Sequence, residues 1–215
     1  MSRMALTIVI SILALAGSIA ALPKQDPKAP LPTSPKEGDE VAVIETSEGS
    51  IVLMFYPQKA PLHVANFVGL AKKGFYDGTR FHRTIKSFMI QGGDPDSKDL
   101  AKAGYWGTGG NKDEGGKPIH VKAEFTDLKH KRGVLSMARS TDPDSASSQF
   151  FIMHNDYPSL DGKYSAFGIV IEGIDVVDLI ANKPSGDNGS IKPESAIVIK
   201  SIKIEKWPLK RSAGS

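Results

Sequence analysis

Between Phe81 and Asp94 the chain reads Phe-His-Arg-Thr-Ile-Lys-Ser-Phe-Met-Ile-Gln-Gly-Gly-Asp, which sets an arginine, Arg83, close in sequence to a thioether and an amide. If the run after Ser87 is extended, Phe88 and Ile90 share one face and Met89 and Gln91 the other. One face can fill a core while the other presents a flexible thioether beside an amide. The same alternation divides residues 148–153, with Gln149 and Phe151 on one side and Phe150 and Ile152 on the opposite one. Two adjacent phenylalanines that point opposite ways suggest one ring in the core and one lining a surface pocket. Each feature taken singly is also what ordinary core packing produces.

Other chemistries are excluded or disfavoured by composition. There is no cysteine, so disulfides, thiolate catalysis and cysteine-bound zinc or iron–sulfur sites are ruled out. The five histidines are His63, His82, His120, His130 and His154. None pairs with another at i, i+4 on an expected helix or i, i+2 on a strand, so scattered core or surface histidines account for them better than a metal site. No metal and no cofactor is expected. Formal net charge is +3 with no long Lys/Arg block, which describes a mildly basic solvated surface and not a nucleic-acid-binding one.

Arg3 precedes an uncharged run from Ala5 to Leu22, with Ser18 and Ala20 at an A-x-A-like cleavage position. Residues 1–21 therefore read as a secretory signal peptide, its apolar part shorter than the roughly 20 residues of a membrane span. The alternative is an uncleaved membrane anchor. Residues 22–38, with prolines at 23, 27, 30, 32 and 35, form a linker in extended polyproline II geometry, a spacer or else a docking ligand. The folded domain is expected over 39–207, followed by a flexible basic tail, 208–215.

Within that domain eight short β-rich runs stand out, at 41–46, 50–56, 79–85, 88–91, 133–138, 148–153, 165–171 and 196–204. Such a series argues for a sandwich or barrel. Ser47-Glu48-Gly49 should close a hairpin between the first two. Val64, Phe67, Val68 and Ala71 mark a helix over 60–73, entered at Pro61 and left at Gly74, and Ile174, Val177 and Ile180 mark a second over 173–182. Two amphipathic helices could plug the open ends of a barrel. The glycine-rich stretch 92–120 must be a long ordered loop, the kind that usually carries function.

The segment FxRxIxxFMIQGGD is followed, in order, by GTGG (107–110), LSMA (135–138), SSQFFI (147–152) and SLDGKYSAFG (159–168). Together they resemble the cyclophilin family over roughly residues 41–204, a pattern far more specific than a short motif. The resemblance implies a mainly β fold, a closed eight-stranded antiparallel barrel capped by two α-helices, which agrees with the elements read from periodicity. It implies peptidyl-prolyl cis/trans isomerase activity on proline-containing polypeptides. Position by position, Arg83 becomes the catalytic arginine and Phe88, Met89 and Phe151 the apolar walls of a proline pocket. Gln91 and Gln149 become the polar groups beside it, with Gln91 keeping the arginine in place. Gly107, Ala138, Arg139, Leu160 and Tyr164 become rim positions. His82 matches a position beside the arginine without a chemical role.

No nucleophile, acid–base pair or metal is needed, because the reaction is rotation about a partial double bond with a barrier of about 18–20 kcal/mol. The sequence departs from the best-known eukaryotic pattern at three places. Ser159 stands for a tryptophan, Tyr164 for a histidine and Arg139 for an asparagine. Serine offers no indole N–H or stacking area, so cyclosporin binding is expected to be weak. A monomer exported to a periplasmic or extracellular space is the expected form, without stable membrane insertion once the signal is cleaved. The competing reading is a chaperone module that holds extended proline-containing segments without turnover.

Overall fold

The computed structural model describes residues 31–210. The expected signal peptide, the first part of the linker and the end of the basic tail lie outside the described residues. Among the described residues no helix is long and apolar enough to cross a membrane.

Nine strands form one antiparallel sheet: β1 (Glu40–Thr46), β2 (Ser50–Phe55), β3 (Arg80–Phe81), β4 (Arg83–Ile85), β5 (Met89–Gly92), β6 (Val134–Met137), β7 (Phe150–Met153), β8 (Ala166–Glu172) and β9 (Ile197–Lys206). Their order is β3-β9-β1-β2-β8-β6-β7-β5-β4. The two outermost strands, β3 and β4, are separated only by His82, so the sheet curls round into a nearly closed barrel. The expected hairpin joins β1 to β2, with Val43 opposite Val52.

The strand count is nine because the run expected at 79–85 divides. Arg80–Phe81 pairs with β9 and Arg83–Ile85 pairs with β5. Phe81 and His82 are both buried, so the inward–outward alternation breaks where the two halves part, a break that residue type along the run does not announce.

Two helices complete the core, α1 (Pro61–Lys72) and α2 (Ile174–Ala181). Pro61 opens α1 where a missing N–H costs nothing. It buries Phe67, Val68, Leu70 and Ala71, whereas α2 buries Val176, Val177, Ile180 and Ala181. At the centre the fully buried Phe67 has ring centroids at 5.8 Å from Phe55, 5.1 Å from Tyr76, 5.3 Å from Phe150 and 5.6 Å from Phe167. Phe150 is thus the inward ring of the adjacent pair, as alternation requires.

The glycine-rich stretch after β5 is organised by one carboxylate. Asp94 is fully buried, and its Oδ2 accepts the main-chain N–H groups of Gly107 and Gly109 while Oδ1 accepts that of Asp96. A buried acid that satisfies three N–H donors gives an irregular loop a fixed shape. Two 3-10 turns, Pro95–Lys98 and Leu100–Tyr105, lie within it.

Candidate active site

Strand register lines up the chemistry. Arg83 on β4 is opposite Gln91 on β5, Gln91 is opposite Phe151 on β7, and Phe151 is opposite Ser136 on β6. These four residues form one row across four strands, all facing away from the core. The neighbouring row, Thr84, Ile90, Ile152 and Leu135, is fully buried. A period-two backbone therefore produces a packed inner row and a separate outer row from the same strands.

The outer row opens into a cavity of about 190 Å³ lined by Arg83, Phe88, Met89, Gln91, Ala138, Arg139, Phe151, Leu160 and Tyr164. Gln91, Ala138 and Arg139 also border a second, larger cavity of about 510 Å³, onto which Gly107 and Gln149 open. All eleven residues singled out in the sequence thus line two adjoining cavities.

Phe88 reaches the first cavity by a route alternation does not give. The strand begins only at Met89, after Ser87 has turned through a positive φ of 62°. Phe88 thereby leaves the Ile90 side, and its ring packs 4.4 Å from that of Tyr157. The turn is held by Ser87 N–H donating to His154 Nδ1 at 2.9 Å and by His154 N–H donating to the Phe88 carbonyl at 2.8 Å.

Two arginines line the first cavity, Arg139 and, beside Gln91, Arg83. The Arg83 Nε–H donates to the Asn188 main-chain carbonyl at 2.7 Å, and Nη1 donates to Gln91 Oε1 at 3.1 Å. Gln91 Nε2 donates to Gln149 Oε1 at 2.9 Å, and Gln149 Nε2 donates to the Gly109 carbonyl at 2.8 Å. Partial burial lowers the guanidinium's pKa from its ordinary value, yet an arginine remains charged at any physiological pH. No carboxylate lies within 4.0 Å of it among the described residues.

The apolar wall has a polar backing. Phe151 stacks on His130 with centroids 6.1 Å apart and planes 18° from parallel, and Tyr164 meets Phe151 edge-on at 5.8 Å. His130 is itself buried, its Nε2 3.0 Å from Ser136 Oγ and its Nδ1 3.3 Å from Asp161 Oδ1. Burial pushes its pKa below the ordinary value, against the pull of Asp161. The Asp161 carboxyl is held below its usual range chiefly because it accepts the His130 main-chain N–H. A neutral imidazole results, with both nitrogens engaged.

At the rim Arg139 and Tyr164 act together. The guanidinium carbon stands 4.6 Å from the centroid of the Tyr164 ring, and Nη2 donates to the Lys163 carbonyl at 2.8 Å. Ala138 N–H donates to the Gln149 carbonyl at 2.9 Å. Among the described residues no three histidines or carboxylates converge on a point that would suit a metal ion.

A family model of cyclophilin type peptidyl-prolyl cis-trans isomerases matches residues 41–204. The chain belongs to this family. A relative from Brucella abortus, a probable peptidyl-prolyl cis-trans isomerase, is 36% identical over 175 residues, covering 80% of this chain and 87% of its own. A peptidyl-prolyl cis-trans isomerase of Acinetobacter baylyi is 40% identical over 171 residues, 75% of this chain and 84% of the relative. Among solved structures, a Cryptosporidium parvum cyclophilin determined in the presence of the dipeptide Ala-Pro superposes with a TM-score of 0.66 at 34% identity, covering 77% of this chain and 99% of that one. The cyclophilin fold expected from the sequence is therefore present, and the chain is an enzyme of the isomerase class.

Two further contributors to the candidate site are not marked by residue type or spacing. Asn188 acts through its carbonyl, which no residue type announces, although Asn188-Gly189 is a familiar turn signature. His130 counted only as a scattered histidine, because its partners Ser136 and Asp161 are brought to it by the fold.

Proposed function

We propose that this chain accelerates rotation about X-Pro peptide bonds in exported polypeptides and so assists their folding, with Arg83 as the catalytic residue. The observation that carries this reading is the fixed guanidinium at the floor of an apolar pocket. A proline ring fits between Phe88, Met89 and Phe151, which exclude water from it. In the twisted transition state amide resonance is lost and the prolyl nitrogen gains a lone pair. Arg83, whose Nη2 has no protein partner among the described residues, can donate to that nitrogen. The planar ground state offers almost nothing to the same donor, so the interaction favours the transition state selectively.

An acceleration of about 10⁵ requires roughly 7 kcal/mol, within reach of a preorganised charged donor acting with restraint and desolvation of the ring. Gln91, Gln149 and the Gly109 carbonyl orient the donor; none exchanges a proton. Export is proposed from the uncharged run 5–22 and its small-residue cleavage position.

The test is a cis-to-trans assay with an Ala-Pro test peptide and the purified full chain. Wild type should exceed the uncatalysed rate by orders of magnitude, and Arg83→Ala should lose most of that excess while keeping its amide spectrum. Binding of the peptide without acceleration would replace this proposal with a holding function. N-terminal sequencing of the exported product distinguishes cleavage from anchoring.

A further inference from the structure

Arg83 is held by neutral acceptors, the Gln91 amide on one side and the Asn188 carbonyl on the other. A carboxylate would orient a guanidinium just as well, but it would also cancel the field the substrate must feel. Neutral oxygens fix direction and leave the charge available. Gln91 is the direct cross-strand neighbour of Arg83, so its position follows from the sheet. Asn188 is 105 residues away in sequence and needs a device of its own.

That device is the short turn from Gly186 to Ser190. Gly189 N–H donates to the Gly186 carbonyl at 3.0 Å and Gly186 N–H to the Ser190 carbonyl at 2.8 Å, closing the turn on itself. Ser190 forms a bridge with Arg83, and Ile191 N–H donates to the His82 carbonyl at 3.3 Å. Asn188 takes a left-handed φ of 56°, followed by Gly189 at 80°. Asparagine and glycine tolerate this region where branched residues do not. At Gly189 space is as restrictive as φ. An added Cβ would fall against Ile85 Cγ1 and 2.5 Å from the Thr84 carbonyl oxygen, both on the strand that carries Arg83. The turn therefore lies directly on β4, and any side chain at 189 would lift it away together with the Asn188 carbonyl.

We infer that the 186–190 turn is the positioning element of the active site, and that Asn188 and Gly189 aim Arg83 at the prolyl nitrogen through a main-chain carbonyl. This rests on the proposed catalytic role of Arg83. Asn188 and Gly189 are positioning residues, since neither lines the proline pocket.

The experiment compares Gly189→Ala, Asn188→Val, Asn188→Gly and Arg83→Ala in the full chain, measuring kcat and KM by NMR exchange on an Ala-Pro peptide. The ¹⁵N–¹H signal of the Arg83 Nε–H is recorded alongside. Loss of one charge-assisted hydrogen bond corresponds to about a tenfold fall in kcat, with KM little changed because the pocket walls stay in place. Gly189→Ala and Asn188→Val should both show that split and a displaced Nε–H signal. Asn188→Gly, which keeps the carbonyl and accepts positive φ, should restore most of the rate lost in Asn188→Val. Asn188 is exposed, so its variants report even if Gly189→Ala does not fold. A wild-type kcat and unmoved Nε–H signal in folded Asn188→Val, beside an inactive Arg83→Ala, would overturn the inference while sparing the arginine's role. Full activity in Arg83→Ala would remove both.

Discussion

Gln91 Nε2 donates to Gln149 Oε1 across 2.9 Å, and this bond decides which way each amide faces. Once the Gln91 nitrogen points to Gln149, its oxygen must point to Arg83. Gln149 is fixed in turn by its donation to the Gly109 carbonyl. The relay runs in one direction, from a cation to a main-chain acceptor, and a reversal anywhere would set a donor against the guanidinium.

Breaking the relay should therefore act on rate. Gln91→Leu is expected to lower kcat about tenfold, the equivalent of one hydrogen bond to a charged group. Gln149→Leu should cost less, since Gln91 keeps its bond to Arg83. Because the two act through one chain, the double variant should be no worse than Gln91→Leu alone. Strictly additive losses in isomerase assays would show that the amides act separately.

Core packing can be separated from catalysis at Phe67, which is fully buried among four aromatic rings and outside both cavities. Phe67→Ala should lower unfolding free energy by about 3–5 kcal/mol. Measured in mild conditions where the variant is still folded, kcat/KM should stay near wild type. A loss below about 1 kcal/mol in urea titration would contradict the packing described.

Stability should fall as the pH drops from about 7 toward 5. His63, His82 and His130 are buried, and burial holds each below the ordinary value of 6.5, despite Glu124 beside His63, Asp94 near His82 and Asp161 beside His130. As pH falls through 6.5 the unfolded chain takes up protons the folded one refuses, so the unfolded state gains. The cost approaches about 1.4 kcal/mol per pH unit for each histidine so affected. A second loss should begin as the pH falls through the ordinary aspartate value of 3.8, where the unfolded chain takes up protons that the folded Asp161 and Asp178, held low mainly by the His130 main-chain N–H and by Arg132 respectively, still refuse. Urea midpoints at pH 7.5 and 5.5 check the first claim; an equal or higher midpoint at 5.5 defeats it.

Ser159 lies exposed in a 3-10 turn, Pro158–Leu160, next to Leu160 of the pocket rim. Cyclosporin should bind weakly to wild type, and Ser159→Trp should tighten it by about tenfold or more by supplying an indole N–H and stacking area. Isothermal titration measures both. Nanomolar binding to the wild-type chain would reject the expectation.

The sequence made the row from Arg83 to Phe151 legible because period-two alternation and strand neighbours follow from local pattern. Phe150 and Phe151 divide between core and pocket as their adjacency suggested, and both helices fall where apolar spacing put them. Phe88 was legible only through the family resemblance. Its departure from alternation depends on the positive φ of Ser87, a conformation serine does not advertise. The division at His82 was hidden for another reason, since Arg80 and Arg83 occupy one apparent run but pair with β9 and β5. The backing of Phe151 by His130, Ser136 and Asp161, and of Arg83 by Asn188, are tertiary facts. Each joins residues whose separation is set by the whole barrel.

That division at His82 also has a bearing on self-association. A sheet that ended in two free strands would expose rows of unpaired N–H and C=O groups, ready to extend onto any extended polypeptide nearby. Here the outermost strands β3 and β4 are successive pieces of one segment, and Arg83 is additionally bridged by Ser190. An isomerase that acts on proline-containing substrates thus presents little open sheet edge for a polypeptide to join. Any chain that approaches finds a pocket of side chains in place of a free row of N–H and C=O groups, which disfavours co-aggregation.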